Sequence, residues 1–135
     1  GLGPKIDYLF GEFLTPGGRF LGLGMNETQV RHVLHKKPQI LSLNLERNLI
    51  PKVEYLTRAV EEGGAGLTTE QVREWFASYP QTAMCSLPNL IVPRMEAILE
   101  GGLTFDPTDP EKSDVPINFV WKPKKNWEAW AAKNL

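Results

Sequence analysis

The sequence predicts an all-α fold: a short solenoid of about two and a half helical repeats, followed by an extended, proline-rich C-terminal arm. Three observations predict it. Residues 24–56 align with 66–98 at a constant offset of 42 without a gap, and nine of those 33 positions are identical. A pattern of proline, base, hydrophobe and acid is written three times, as PKIDYL, PKVEYL and PRMEAI. Beyond residue 102 both the period and the apolar patterning stop, and residues 103–126 hold four prolines and four acids. The expected organisation is therefore repeats over 1–102, with a partial copy at 1–10 and full copies at 24–62 and 66–100, and an arm over 103–135.

Each full copy reads as two helices. The first opens at Asn26 or Thr68, each followed three residues later by Gln29 or Gln71, the spacing of a capping box. Val30, Val33 and Leu34 answer to Val72, Trp75 and Phe76, an i, i+3, i+4 stripe that marks a buried face. Pro38 and Pro80 stop these helices, because a proline disfavours helical geometry in the residue before it. The second helix is expected to open at Asn44 and Ser86 and to run through Pro51 and Pro93 with a kink. Its stripe is Leu45, Leu49, Val53, Leu56 and Val60 in one copy and Leu87, Ile91, Met95 and Ile98 in the other, with stops at Gly63-Gly64 and Gly101-Gly102. Leu2, Ile6 and Leu9 carry the same stripe at an offset of 47, five extra residues lying in the intervening connection. In the arm, Asn126 is expected to cap a short helix bearing Trp127 and Trp130.

Composition bounds the function. At 135 residues with 41% hydrophobic and 23% charged side chains the chain can bury a real core, and no apolar run reaches a membrane-spanning length of about 18 residues. The single cysteine, Cys85, excludes an internal disulfide. Net charge is −1, so no strongly basic footprint exists, although residues 121–135 carry a local excess of bases. The chain opens at Gly1, inside the first copy of the motif, and an upstream segment is expected to have been removed.

No catalytic constellation emerges. His32 and His35 stand at i, i+3 without a third ligand type nearby, so neither a metal site nor any cofactor is expected. Gly22-Leu23-Gly24 lacks the third glycine of a dinucleotide fingerprint, Glu27 standing in its place, and no strand is expected before it; the glycines read as a flexible joint.

The run PQILSLNLE followed by NLIPKVEYL resembles the repeat of the mitochondrial transcription termination factor (mTERF) family of mitochondria and plastids. The likeness covers residues 24–62 well and 66–100 in part, since PQTAMCSLP departs from the aliphatic step. The resemblance implies helical hairpins curving into a solenoid, no enzymatic activity, an organellar address and, in many members, DNA or RNA binding along a basic face. Candidate phosphate contacts are Arg31, Lys36, Lys37, Lys52, Arg73 and Arg94, with His35 and Arg58 beside them. Arg31/Arg73 and Lys52/Arg94 recur at the repeat period, as a backbone-tracking ladder requires. The same residues also read as a solvated face with acids interleaved, Glu27 with Arg31 and Glu54 with Arg58. Trp121, Trp127 and Trp130, beside Lys122, Lys124 and Lys125, admit three readings: a cap on the last repeat, an anchor in a partner protein, or contact with a membrane surface. Two functions stay open, a nucleic-acid-binding factor in organelle gene expression and an accessory or scaffold subunit of a large organellar assembly such as a ribosome or photosynthetic complex.

Overall fold

The computed structural model describes residues 3–135, so Leu2 of the predicted first stripe lies outside the described residues. The described chain holds six α-helices, six 3-10 or π turns and one two-stranded hairpin, and with 61% of it helical once those turns are included the all-α class holds. The helices are α1 (Pro4–Phe10), α2 (Glu27–Lys36), α3 (Ile50–Thr57), α4 (Thr69–Ser78), α5 (Val92–Glu100) and α6 (Lys124–Asn134). The hairpin pairs β1 (Phe13–Leu14) with β2 (Phe20–Leu21) and takes up the longer connection after α1. A strand thus does precede Gly22, contrary to the expectation, but it is two residues long.

Both predicted capping boxes form. Asn26 Oδ1 accepts from Gln29 N at 2.8 Å while Gln29 Oε1 accepts from Asn26 N at 3.0 Å, and Thr68 and Gln71 repeat the exchange. These bonds satisfy helix-start donors that would otherwise lack partners. Helix α2 ends at Lys36 and α4 at Ser78, and Pro38 and Pro80 each begin a 3-10 turn, Pro38–Ser42 and Pro80–Met84.

The prolines of the second helix are accommodated by widening its first turn. Residues Leu45–Leu49 and Leu87–Ile91 bond i to i−5, with Leu49 N reaching Asn44 O at 3.2 Å and Ile91 N reaching Ser86 O at 3.0 Å. Pro51 and Pro93 then fall in the first turn of α3 and α5, where a missing N–H costs least. Asn44 and Ser86 cap these wide turns as expected, accepting from Arg47 N and Asn89 N.

The predicted stripes are buried in the main, with Ile6, Leu34 and Leu87 half-buried and one correction, at Val60. Leu49, Leu56, Ile91 and Ile98 are fully enclosed, as are Val72, Trp75 and Phe76 of α4, which packs against both α2 and α3. Val60 is 48% exposed, because α3 ends at Thr57, well before Gly63-Gly64. Gly22, expected to belong to a flexible joint, and Gly64, expected as part of a helix stop, lie 42 residues apart and are both close-packing positions. A Cβ at Gly22 would stand 2.0 Å from Tyr8 O, and one at Gly64 would stand 2.2 Å from Arg58 O. This approach lets Leu23 N and Met25 N reach Tyr8 O and Leu9 O, and Ala65 N and Leu67 N reach Tyr55 O and Leu56 O, so the same backbone seam is built twice.

The C-terminal segment is not an extended arm. Phe105, Val115, Phe119 and Val120 are buried, and the Trp75 ring lies 4.8 Å from Phe105 and 6.0 Å from Phe119, centroid to centroid. Trp75 Nε1 donates to Ile117 O at 3.1 Å, which fixes the segment against α4. Helix α6 starts at Lys124 after Pro123, so Asn126 sits inside the helix and caps nothing.

Replacing Gly64 by alanine is expected to destabilise the protein by roughly 3 kcal/mol, the upper range for forced overpacking, because the colliding atom is backbone. Gly63→Ala, with open space around its Cβ, is expected to cost only about 1 kcal/mol for a left-handed alanine. Urea denaturation of the two variants checks the difference.

Candidate nucleic-acid interface

In the two full repeats the base that follows the recurring proline points inward. Positions 45, 49, 52 and 56 share one helical face, and so do 87, 91, 94 and 98, which places Lys52 and Arg94 among the enclosed aliphatics of α3 and α5. Lys52 is 2% exposed and Arg94 5% exposed. Lys52 Nζ donates to Ala83 O at 2.7 Å, in the 3-10 turn of the following repeat. Lys5 Nζ donates to Leu41 O, the equivalent carbonyl one unit earlier. After the last repeat Arg94 donates to Phe119 O at 2.7 Å and to Lys122 O at 2.8 Å, carbonyls of the C-terminal segment. One device therefore joins every unit to the next, and a 3-10 turn at Phe119–Trp121 takes the place of a further repeat.

This corrects the expected phosphate ladder, since two of its six members are not on a solvent-facing strip. Burial pushes the Lys52 ammonium and the Arg94 guanidinium below their usual pKa values, and no carboxylate offsets it among the ion pairs of the described residues. What holds each charge is a charge-assisted bond to carbonyl oxygen, worth about 1.5–3 kcal/mol. Arg94 has a second support, its guanidinium carbon lying 5.2 Å from the centroid of Trp127.

The other four candidates lie at or near the surface. Arg31 is exposed and pairs with Glu27 one turn back, as the solvated-face reading expects. Arg73 is half-buried, its Nε 3.6 Å from Glu74, whose carboxylate also accepts from Gln29 Nε2 at 3.4 Å. Glu54 and Arg58 do not pair among the described residues, Arg58 lying past the end of α3. Lys36 and Lys37, at the C-terminal end of α2, line a shallow cleft of about 290 Å³ with His32, Tyr79, Pro80 and Trp121. Tyr79 is 42% exposed, and its ring centroid is 6.3 Å from that of Trp121. The structure thus joins two separately predicted groups, the α2 lysines and Trp121, and adds Tyr79. Tyr79 occupies the repeat position of Lys37, and an aromatic residue at an exposed helix end was the signal for it.

Trp127 and Trp130 are half-buried and stack at 5.5 Å with 24° between their planes, Trp127 also lying 6.1 Å from Phe119. All three C-terminal tryptophans are packed against the hydrophobic core. Among the described residues no group of three His, Cys, Asp or Glu side chains gathers as a metal-ligand set, and no helix is long and apolar enough to cross a membrane.

The family model for mTERF matches residues 18–109, more than half of the chain. The chain belongs to the mTERF family. That family consists of non-enzymatic helical-repeat proteins associated with organelle nucleic acid. Neither the curated proteins nor the solved structures yield a match to this mTERF chain.

Arg94→Ala leaves one buried carbonyl, Phe119 O, and one partly buried carbonyl, Lys122 O, without this donor and is expected to destabilise the mTERF chain by roughly 2–3 kcal/mol. Limited proteolysis of that variant is expected to cleave first within residues 106–123, ahead of any cut in the repeats.

Proposed function

We propose that this mTERF chain is a non-enzymatic binding module of a plastid or mitochondrion that acts in organelle gene expression by contacting DNA or RNA. The contact surface is the C-terminal end of α2, where Lys36 and Lys37 stand beside His32, Tyr79 and Trp121, with Arg31 and Arg73 as flanking contacts. The observation that carries this reading is the coincidence of family membership with two lysines and an exposed aromatic ring in one cleft. Phosphates are held by such cations, and an exposed ring offers a face on which a base can stack. The narrow surface supports few phosphate contacts, in keeping with a chain whose net charge is −1.

A second reading, an accessory or scaffold subunit of a large organellar complex, is favoured by a different observation. Lys52 and Arg94 are used internally, and Arg31 and Arg73 are each beside a carboxylate. On that reading the half-exposed Trp127 and Trp130 offer the surface a protein partner would cover.

Fluorescence anisotropy with labelled duplex DNA and single-stranded RNA across a salt series tests the first reading. Replacing both Lys36 and Lys37 by glutamate is expected to weaken binding at least tenfold and to lower the salt slope by about 2. No retention by the unaltered chain at low salt overturns it and leaves the accessory reading.

A further inference from the structure

A second cleft, of about 360 Å³, opens between the wide turns of the two full repeats. Arg47, Asn48 and Lys52 line it from the first repeat, and Ser86, Leu87 and Pro88 line it from the second. Its charge is one-sided. Lys52 has one acceptor, Ala83 O, for an ammonium that carries three donors. Arg47 is exposed, makes no ion pair among the described residues, and no acid lines the cleft. The helical segment that starts at Leu87 and continues through α5 brings its positive end to the same place. Against these cations stands one unused acceptor, Asn48 Oδ1, buried and without a hydrogen-bond partner.

From this arrangement we infer that the inter-repeat cleft binds a phosphate group, its anionic oxygens on Arg47 and Lys52 and a protonated oxygen or neighbouring hydroxyl donating to Asn48. The ligand chemistry is a phosphate with a hydroxyl close by, supplied either free or as the ribose-phosphate of an RNA backbone. The protein holds an internal control. The equivalent cleft one junction earlier, about 430 Å³, is lined by Lys5, Asn44, Leu45 and Glu46. Glu46 occupies the place of Pro88, and a carboxylate there disfavours an anion. The inference goes beyond the α2 edge and does not require it.

The test is a ¹⁵N NMR titration of the chain with sodium phosphate, with sodium chloride at matched ionic strength as reference, and separately with a short single-stranded RNA. Saturable shifts at Arg47, Asn48, Leu87 and Asn89, without shifts at Lys5 and Ile6 of the control cleft, are expected with phosphate. Arg47→Gln, at an exposed position, is expected to weaken that binding about tenfold, the value of one charge-assisted hydrogen bond. Lys52→Met, checked by circular dichroism for folding, is expected to abolish it. Junction shifts with RNA, lost in Arg47→Gln, identify the backbone as source; junction shifts with phosphate alone support the site with a free ligand. Phosphate shifts no larger than those with chloride, or unchanged in Arg47→Gln, overturn the inference. RNA binding that shifts α2 while phosphate leaves the junction unmoved sinks the cleft and leaves the proposed function standing.

Discussion

A buried base reaching from one repeat to a backbone carbonyl of the next is the constraint on which the rest of this structure depends. The contact is buried at Lys52 to Ala83 and at Arg94 to the C-terminal segment, and Lys5 makes a more exposed version of it to Leu41. A helical hairpin buries apolar surface against any neighbour of suitable shape, so packing alone leaves the register of stacking loosely defined. A cation enclosed among aliphatics has no such latitude, because losing its acceptor exposes the full desolvation penalty. The proline before each base, and in the two full repeats the wide turn before that proline, place the cation at the same height along its helix. The Gly22 and Gly64 seams then bring the following segment close enough for backbone pairing.

The C-terminal segment completes this scheme without belonging to the repeat. Two carbonyls of residues 119–122 satisfy Arg94, and Ile117 O satisfies Trp75, so the last repeat finds acceptors as an internal one does. Arginine rather than lysine at this junction fits two acceptors, since its planar fork offers several donors in fixed directions. Phe105, Phe119 and Trp127 close the apolar end beside it. A consequence for function is that charge counted along the sequence overstates the charge available to a ligand. Lys52 and Arg94, which recur behind the repeated proline, bond to backbone carbonyls of the fold, and on the proposed reading the α2 lysines are the bases offered for recognition.

Much of this was legible in the sequence. The offset of 42, both capping boxes, the stops at Pro38 and Pro80 and the caps at Asn44 and Ser86 follow from local chemistry that few alternatives satisfy. The inward course of Lys52 and Arg94 was harder to read, because a base recurring at the repeat period fits a phosphate ladder and an interior bond equally well. The deciding sign was their shared face with Leu49, Leu56, Ile91 and Ile98. The early end of α3 was hidden because Val60 continues the apolar spacing past the true end. The packed C-terminal segment was hidden because an irregular chain buries apolar residues with no period. Of the candidate site, Lys36 and Lys37 could be named from sequence, but their meeting with Tyr79 and Trp121 joins positions more than 40 residues apart that no local pattern links.

Hydrogen exchange on Lys52→Met measures the central claim most directly, because methionine keeps the apolar stem and removes only the cation. The account predicts that stability falls by about 1.5–3 kcal/mol and that amides of the Pro80–Met84 turn and the Leu45–Leu49 turn lose protection together. A variant as stable as the unaltered chain, with protection at both turns unchanged, would show that apolar packing alone sets the stacking and would contradict it.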